Sequence, residues 1–239
     1  MNKIAYFFDM DGVLFDSMPH HAVAWTTVMQ QHGLPFSKEE VYRNEGRTGF
    51  SVIEEAISTF QHRHADREEV DAIYAEKTAL FHELGETFPI PGVKDVLAFL
   101  RSHGALIFIV TGSGQHSLFD RLDHVFPGIF KRDRMVTGLD VKKGKPDPEP
   151  YLMGFERAVA LYETIPLALK AEKGWPDHLS ATDCAVIENA PLGVRSGSAA
   201  GLDVYAVNTG PLPDDCLLQE GAKEVFASMQ ELLVFLKKS

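Results

Sequence analysis

Ile4-Ala5-Tyr6-Phe7-Phe8-Asp9-Met10-Asp11-Gly12-Val13-Leu14-Phe15-Asp16-Ser17 decides how the rest of this chain is read. Residues 4–8 form a short, continuous apolar run rich in aromatics, the pattern of a strand buried on both faces rather than one half exposed to water. The run stops on Asp9, and Asp11-Gly12 supplies turn chemistry. From about Ser17 to Glu86 the chain is helix-like, with many His, Glu and Gln and no convincing strand. It leaves that stretch through Phe88-Pro89-Ile90-Pro91-Gly92, two prolines and a glycine that cannot continue a helix, so a domain boundary is expected there.

Beyond the boundary the pattern alternates. Val93, Val96, Leu97 and Leu100 recur at helical spacing, Gly104 is a helix stop, and Leu106-Ile107-Phe108-Ile109-Val110 reads as a second buried strand. A further helix carries Leu118, Phe119, Leu122, Val125 and Phe126 on one face, and short strands are expected at Cys184 to Ile187 and Val204 to Val207. Parallel strands need crossover helices, so the expected fold is α/β, a doubly wound parallel sheet built by residues 1–15 joined to 91–239. Residues 16–90 are then a helical domain inserted into it.

Composition narrows the function. The 239 residues are 45% apolar and 24% charged, an ordinary globular balance that excludes disorder and fibre. With 34 acidic against 23 basic residues the net charge is −11, so a nucleic acid would bind against the field of the protein, and no nucleic-acid partner is expected. Cys184 and Cys216 cannot build a disulfide framework or a structural zinc site. No apolar run approaches a membrane span and nothing resembles a signal peptide, so the expectation is a cytoplasmic protein with no membrane partner, a monomer or weak homodimer.

In an open parallel sheet, ligands sit outside the carboxyl ends of the strands. The loops there read Asp9-Met10-Asp11-Gly12, Thr111-Gly112-Ser113-Gly114 and Glu188-Asn189-Ala190-Pro191, and Lys145 stands on another loop, before an expected helix. Carboxylates, hydroxyls and one lysine at a single rim suit a metal ion and a phosphoryl group. Gly138 to Lys145 is not a phosphate loop of the Walker type, because Pro146 stands where Ser or Thr should be and the glycine spacing is wrong.

Residues 7–17 resemble the first motif of the haloacid dehalogenase superfamily, and Thr111, Lys145 and Glu188-Asn189 resemble its second, third and fourth motifs in the right order. The helical insertion after the first motif, with His20-His21 and Trp25, is similar to the cap of the β-phosphoglucomutase-like branch. The resemblance implies a Rossmann-like core, Mg2+ as cofactor and a small phosphorylated substrate. It implies Asp9 as nucleophile, Asp11 as acid and base, Thr111, Gly112, Ser113 and Lys145 on the transferring phosphate, and metal contacts from Asp9, the Asp11 carbonyl and Asn189, with Glu188 behind them. Dehalogenase members lack a carboxylate two positions after the nucleophile, so Asp11 disfavours dehalogenation.

Two departures bear on the substrate. The mutases of that branch hold a second phosphate with an Arg and a Lys from the cap; the Lys corresponds to Lys77, but the arginine position falls on Gly49, with Arg47 two residues early. Hydrolysis is therefore favoured over isomerisation. The fourth motif carries Glu188-Asn189 where Glu-Asp is usual, replacing one metal-facing charge by an amide oxygen. Glu45, beside Gly46 in the cap loop, is expected to restore that charge. A chamber receiving Glu45, Arg47, His21 and Lys77 suits a compact, charged substrate such as pyrophosphate or a short phosphorylated metabolite. The long stretch between Lys145 and Asn189 is expected to be a lengthened helix and surface loop or an oligomer contact.

Overall fold

The computed structural model describes residues 3–114 and 118–238. Among the described residues, six parallel strands form one sheet: β1 (Ala5–Phe8), β2 (Leu106–Val110), β3 (Met135–Val136), β4 (Cys184–Glu188), β5 (Asp203–Val207) and β6 (Glu224–Phe226), in the order β3-β2-β1-β4-β5-β6. The sheet is the doubly wound α/β fold expected from the apolar runs, with β1 at its centre and fully buried.

Side chains alternate across it. Tyr6, Phe8, Ile107, Ile109 and Ile187 face a core closed by α5 (Val93–Ser102), α6 (Leu118–Val125) and α11 (Met229–Lys238). Phe7, Phe108, Val110, Val186 and Val204 face the opposite core, closed by α7 (Glu149–Glu163), α9 (Pro191–Ala199) and α10 (Asp214–Leu218). Covering both faces is what buries β1, β2 and β4 along their whole length.

Between β1 and β2 the chain forms α1 (Met18–Gln31), α2 (Lys38–Arg43), α3 (Gly49–Gln61) and α4 (Arg67–Glu83). These helices bury an apolar cluster of their own, including Val28, Met29, Ile53, Ile57, Val70 and Ile73. Their ends are set locally: Ser37 and Glu40 make a reciprocal capping box on α2, Thr48 caps α3 and Asp66 caps α4. The two connectors to the sheet run side by side, Asp16 N donating to Phe88 O at 2.8 Å and Ile90 N to Leu14 O at 3.0 Å. We refer to the four helices as the cap.

The long stretch after Lys145 resolves into α7, the short α8 (Leu167–Glu172) and a loop leading into the amino end of β4, the end of the sheet away from Glu188. Tyr162 and the buried Lys170 fasten that loop through Pro176 O and Asp177 O, at 2.5 and 2.9 Å. Among the described residues no helix is long and apolar enough to cross a membrane.

Candidate active site

The chain reverses its progress across the sheet at β1, continuing to β2 and β3 on one side and returning to β4 on the other, and a crevice opens at such a switch point. Register places the chemistry there. Phe8 lies level with Ile109 and Ile187, so the next residues along the strands, Asp9, Val110 and Glu188, stand side by side at the carboxyl rim. Lys145 reaches in from the loop before α7. Its Nζ donates to Asp9 Oδ1 at 2.6 Å, Glu188 Oε1 at 2.7 Å and Val110 O at 3.0 Å.

Glu188 is held further by Tyr151 Oη at 2.9 Å and by the main-chain N–H groups of Asn189 and Ala190 at 2.9 and 3.1 Å. A Cβ on Gly193, in the first turn of α9, would lie 1.8 Å from Glu188 Oε1, so that glycine leaves the carboxylate its place. Asp9 is 3% exposed, Lys145 2% and Glu188 0%. Two carboxylates thus share one ammonium out of water. Burial pushes the Asp9 carboxyl up, Lys145 opposes it, and Glu188 and Asp11 add to it. Burial alone would depress Lys145; its two carboxylate partners outweigh that and raise it. The cluster is short of positive charge.

Asp11 sits in a second chain of contacts. Its Oδ1 accepts from Ser17 Oγ at 2.5 Å and lies 3.3 Å from His21 Nε2, while His21 Nδ1 is 2.8 Å from Lys77 Nζ. Phe81 stacks on the His21 ring, and Lys77 Nζ lies 5.0 Å from the centre of the Trp25 ring. Burial alone would raise Asp11, but His21, Ser17 and Lys77 together hold it below the usual carboxylate range. Burial and Lys77 lower His21, against the pull of Asp11.

Lys77 is depressed by burial to about 8, again against Asp11. A lysine titrating lower in the folded than in the unfolded chain destabilises the fold below both values and relieves it as pH rises between them. The Lys77 contribution to stability is therefore expected to climb between about pH 8 and 10.5, opposed above about pH 9 by the Cys184 thiol, which burial pushes up to about 12. Lys77→Met should remove that climb and, because the shift corresponds to roughly 3 kcal/mol, be the more stable protein at pH 7. Denaturant unfolding across this range checks it; a less stable variant with the same pH slope would refute it.

The cap loop enters the same site. Glu45, 8% exposed, accepts at Oε1 from Asn189 Nδ2 at 2.8 Å. Burial raises the Glu45 carboxyl well above its ordinary value; the Asn189 bond opposes this, and Asp9, Glu188 and Asp11 reinforce it. Gly12 makes room for the contact. Its φ is +77°, and a Cβ there would stand 2.1 Å from Asn189 Nδ2 and 2.9 Å from Glu45 Oε1, so glycine is required by both backbone and space. Thr209 Oγ1 fixes the loop by donating to Gly12 O at 2.6 Å.

With Nδ2 turned to Glu45, the buried Asn189 Oδ1 has no partner. Such an oxygen is costly unless it faces a donor or a cation. Among the described residues no three His, Cys, Asp or Glu side chains gather as ligands, but this donor set is mixed, combining carboxylate, amide and main-chain oxygens. An orphaned oxygen beside an excess of buried carboxylates fits a divalent cation.

Other expected residues line the same rim. Thr111 Oγ1 accepts from Ser113 N at 3.1 Å, which turns the Thr111-Gly112-Ser113 loop across the crevice, and all three border the chamber with His21, Glu45 and Lys77. Arg47 borders it by position, but its guanidinium is bound by Glu55, Asn44 Oδ1 and Ser51, not by groups of the Asp9 site. Gly49 faces Tyr74: a Cβ at 49 would meet that ring at 2.1 Å, so the aromatic ring fills the space in which a longer side chain at 49 would start. Trp25 packs in the cap cluster and also lines the chamber.

Three contributors escape sequence reading. Ser17 follows Asp11 by six residues, and nothing in the sequence marks its hydroxyl as the carboxylate's partner. Tyr151 and Tyr74 sit on helices among other aromatics, and helical spacing does not tell a tyrosine aimed at a carboxylate from one packed in a core.

Comparisons with known proteins identify the family. A family model described as haloacid dehalogenase-like hydrolase matches residues 5–201. The chain is 36% identical over 207 residues to hexitol phosphatase A of Escherichia coli, covering 85% of this chain and 82% of that protein. It is 29% identical over 238 residues to a phosphorylated carbohydrates phosphatase of Thermotoga maritima, with 98% of each covered. A solved Bacteroides vulgatus structure, named provisionally as a beta-phosphoglucomutase, is 44% identical with a TM-score of 0.85 over 97% of this chain and 86% of its own.

Proposed function

Because the chain belongs to the haloacid dehalogenase-like hydrolase family, as a phosphoryl-transfer enzyme of the β-phosphoglucomutase-like branch, we propose that it is a phosphatase moving the phosphoryl group of a small phosphorylated metabolite, a sugar phosphate or pyrophosphate, onto Asp9 and then to water. The single observation that carries this reading is the buried Asp9–Lys145–Glu188 cluster, opening on Asp11 inside a cap-covered chamber. The two phosphatase relatives support the substrate class.

In this reading an Asp9 oxygen attacks phosphorus, forming a P–O bond as the bond to the leaving oxygen breaks. Lys145 neutralises charge on the phosphoryl oxygens, and Thr111 with the neighbouring main chain orients them. Asp11 gives the leaving oxygen its proton. Since His21 holds Asp11 ionised at rest, that proton arrives through His21, with Lys77 beyond. Asp11 then takes a proton from the water that opens the aspartyl phosphate.

Mg2+ would be held by Asp9, the Asp11 carbonyl and Asn189 Oδ1, with Glu45 beside it; when bound, it supplies charge cancellation between the anionic nucleophile and the anionic phosphate. Glu45→Gln is expected to raise the Mg2+ concentration needed for half-maximal activity about tenfold or more, as loss of a group next to a metal ligand does. Glu39→Gln, an exposed change on α2, should not. Equal Mg2+ dependence in both would remove Glu45 from the metal's surroundings.

Isomerisation is the second reading, because the Bacteroides vulgatus protein bears a mutase name at 44% identity. Tyr74 packed on Gly49 and Arg47 bound to Glu55 argue against a second phosphate clamp. A phosphate-release screen of pyrophosphate, sugar phosphates and nucleotides with Mg2+, with Asp9→Asn as blank, tests the proposal. Free phosphate from one compound, in preference by several hundred-fold, is the expected result. Conversion of a hexose 1-phosphate to its 6-phosphate under a bisphosphate activator, with little phosphate freed, would overturn it.

A further inference from the structure

Asp9, Lys145, Glu188 and Asn189 are buried with the cap where it lies, so a cap that moves during turnover has to return to one position. Besides the Glu45–Asn189 and His21–Asp11 contacts, close approaches at glycines help to define that position. A Cβ on Gly112 would stand 2.6 Å from Gly46 O and 2.9 Å from Arg47 O of the cap loop. One on Gly138 would meet Gly112 O at 2.4 Å and Thr48 Cγ2 at 3.6 Å. One on Gly144 would meet Thr48 Cγ2 at 2.8 Å and Thr48 N at 3.3 Å.

None of these three core glycines has a positive φ. Their backbone does not ask for glycine; the space does. Gly138 and Gly144 also lie outside the motif residues to which chemistry has been assigned. On the cap side, Thr48 Oγ1 is used in capping α3, where it accepts from Ser51 N at 3.4 Å, and its methyl is the group presented to Gly144. Gly46, two residues earlier, comes down on Lys145, its hypothetical Cβ 3.0 Å from Lys145 Cδ.

We propose that Thr48 seated in a socket made by Gly112, Gly138 and Gly144 is the positioning contact that fixes the closed cap, and that this seating sets where Glu45 stands against Asn189. Only Gly46 and Arg47 separate Glu45 from Thr48, and an interface packed at van der Waals distance does not shift continuously. A methyl's worth of excess volume at Gly144 therefore lifts the loop and carries the Glu45 carboxyl out of hydrogen-bond reach of Asn189. The inference rests on the reading of Glu45 given above only for its consequence; the socket itself is independent of it.

Gly144→Ala, with Gly144→Ala/Thr48→Ser as its rescue, tests the socket, since the second substitution removes the obstructing methyl and keeps a capping hydroxyl. Nitroxides at the exposed positions 58 and 131, on cap and core, placed in a Cys216→Ser background with Cys184 buried, report the separation of the two parts. In Gly144→Ala the distance distribution should move to longer values, with kcat/KM at least about tenfold lower; in the double variant both should return to within about threefold of the parent. An unchanged distance in Gly144→Ala, or a defect in fold, distance or kcat/KM that Thr48→Ser fails to relieve, overturns the proposal. If Glu45→Gln leaves Mg2+ activation unaltered while Gly144→Ala still lengthens the distance, the role given to Glu45 falls and the socket stands.

Discussion

Asp9→Asn is expected to lower kcat by at least about 10^4-fold, the scale on which removal of a covalent nucleophile acts, without lowering the melting temperature. The amide keeps the shape of the side chain and an oxygen for Lys145 Nζ, now 2.6 Å from Asp9 Oδ1. What it removes is one of two negative charges that share a single ammonium beneath the cap. Burial together with Glu188 and Asp11 already disfavours that charge, so neutralising it does not cost folding free energy. Phosphate release measured beside thermal unfolding separates the two effects. A variant that loses activity only in proportion to lost folded protein would contradict the assignment.

Lys145→Met has the opposite character: it should damage activity and fold together. With the ammonium gone, Asp9 and Glu188 face each other with 3% and 0% exposure and no positive partner, a situation that costs on the order of 3–5 kcal/mol when one member of a buried pair is deleted. The pH dependence has a definite sign. Lys145 is the group that opposes the rise in the Asp9 carboxyl's proton affinity; without it, the folded state binds protons that the unfolded state has released. Stability then falls as pH rises from the unfolded carboxylate value near 4 upward. Lys145→Met is accordingly least unstable in mild acid, and adding Glu188→Gln should recover part of the loss near neutrality. Chemical unfolding of the single and double variants at several pH values checks this; equal destabilisation at pH 5 and pH 8 would contradict it.

Much of the core was legible because its signals are local. β1, β2, β4 and β5 are unbroken apolar runs ending in polar residues, and a doubly wound sheet places the loops that follow them at one rim, so Asp9, Thr111 and Glu188 meet by topology alone. β3 is two residues long and β6 three, with Glu224 exposed, so neither offers an apolar run to read. The cap was harder. Helical spacing identifies an apolar face but not what lies opposite it, so it does not reveal that Trp25 lines the chamber or that Tyr74 fills the space beside Gly49. Charge arithmetic did point to Glu45, since a neutral Asn189 left a deficit, and the 2.8 Å contact joins residues 144 positions apart. Arg47 shows the limit of that arithmetic, because its charge is taken up by Glu55 on the same cap.

Everything rests on Asp9 carrying the phosphoryl group in transit. Rapid mixing with the preferred substrate labelled at phosphorus, an acid quench within one turnover, and mapping of the retained label test it directly. Label held on the peptide bearing Asp9, formed and lost at rates matching turnover and missing from Asp9→Asn, is the predicted result. Full turnover with no label on the protein at any quench time would contradict it.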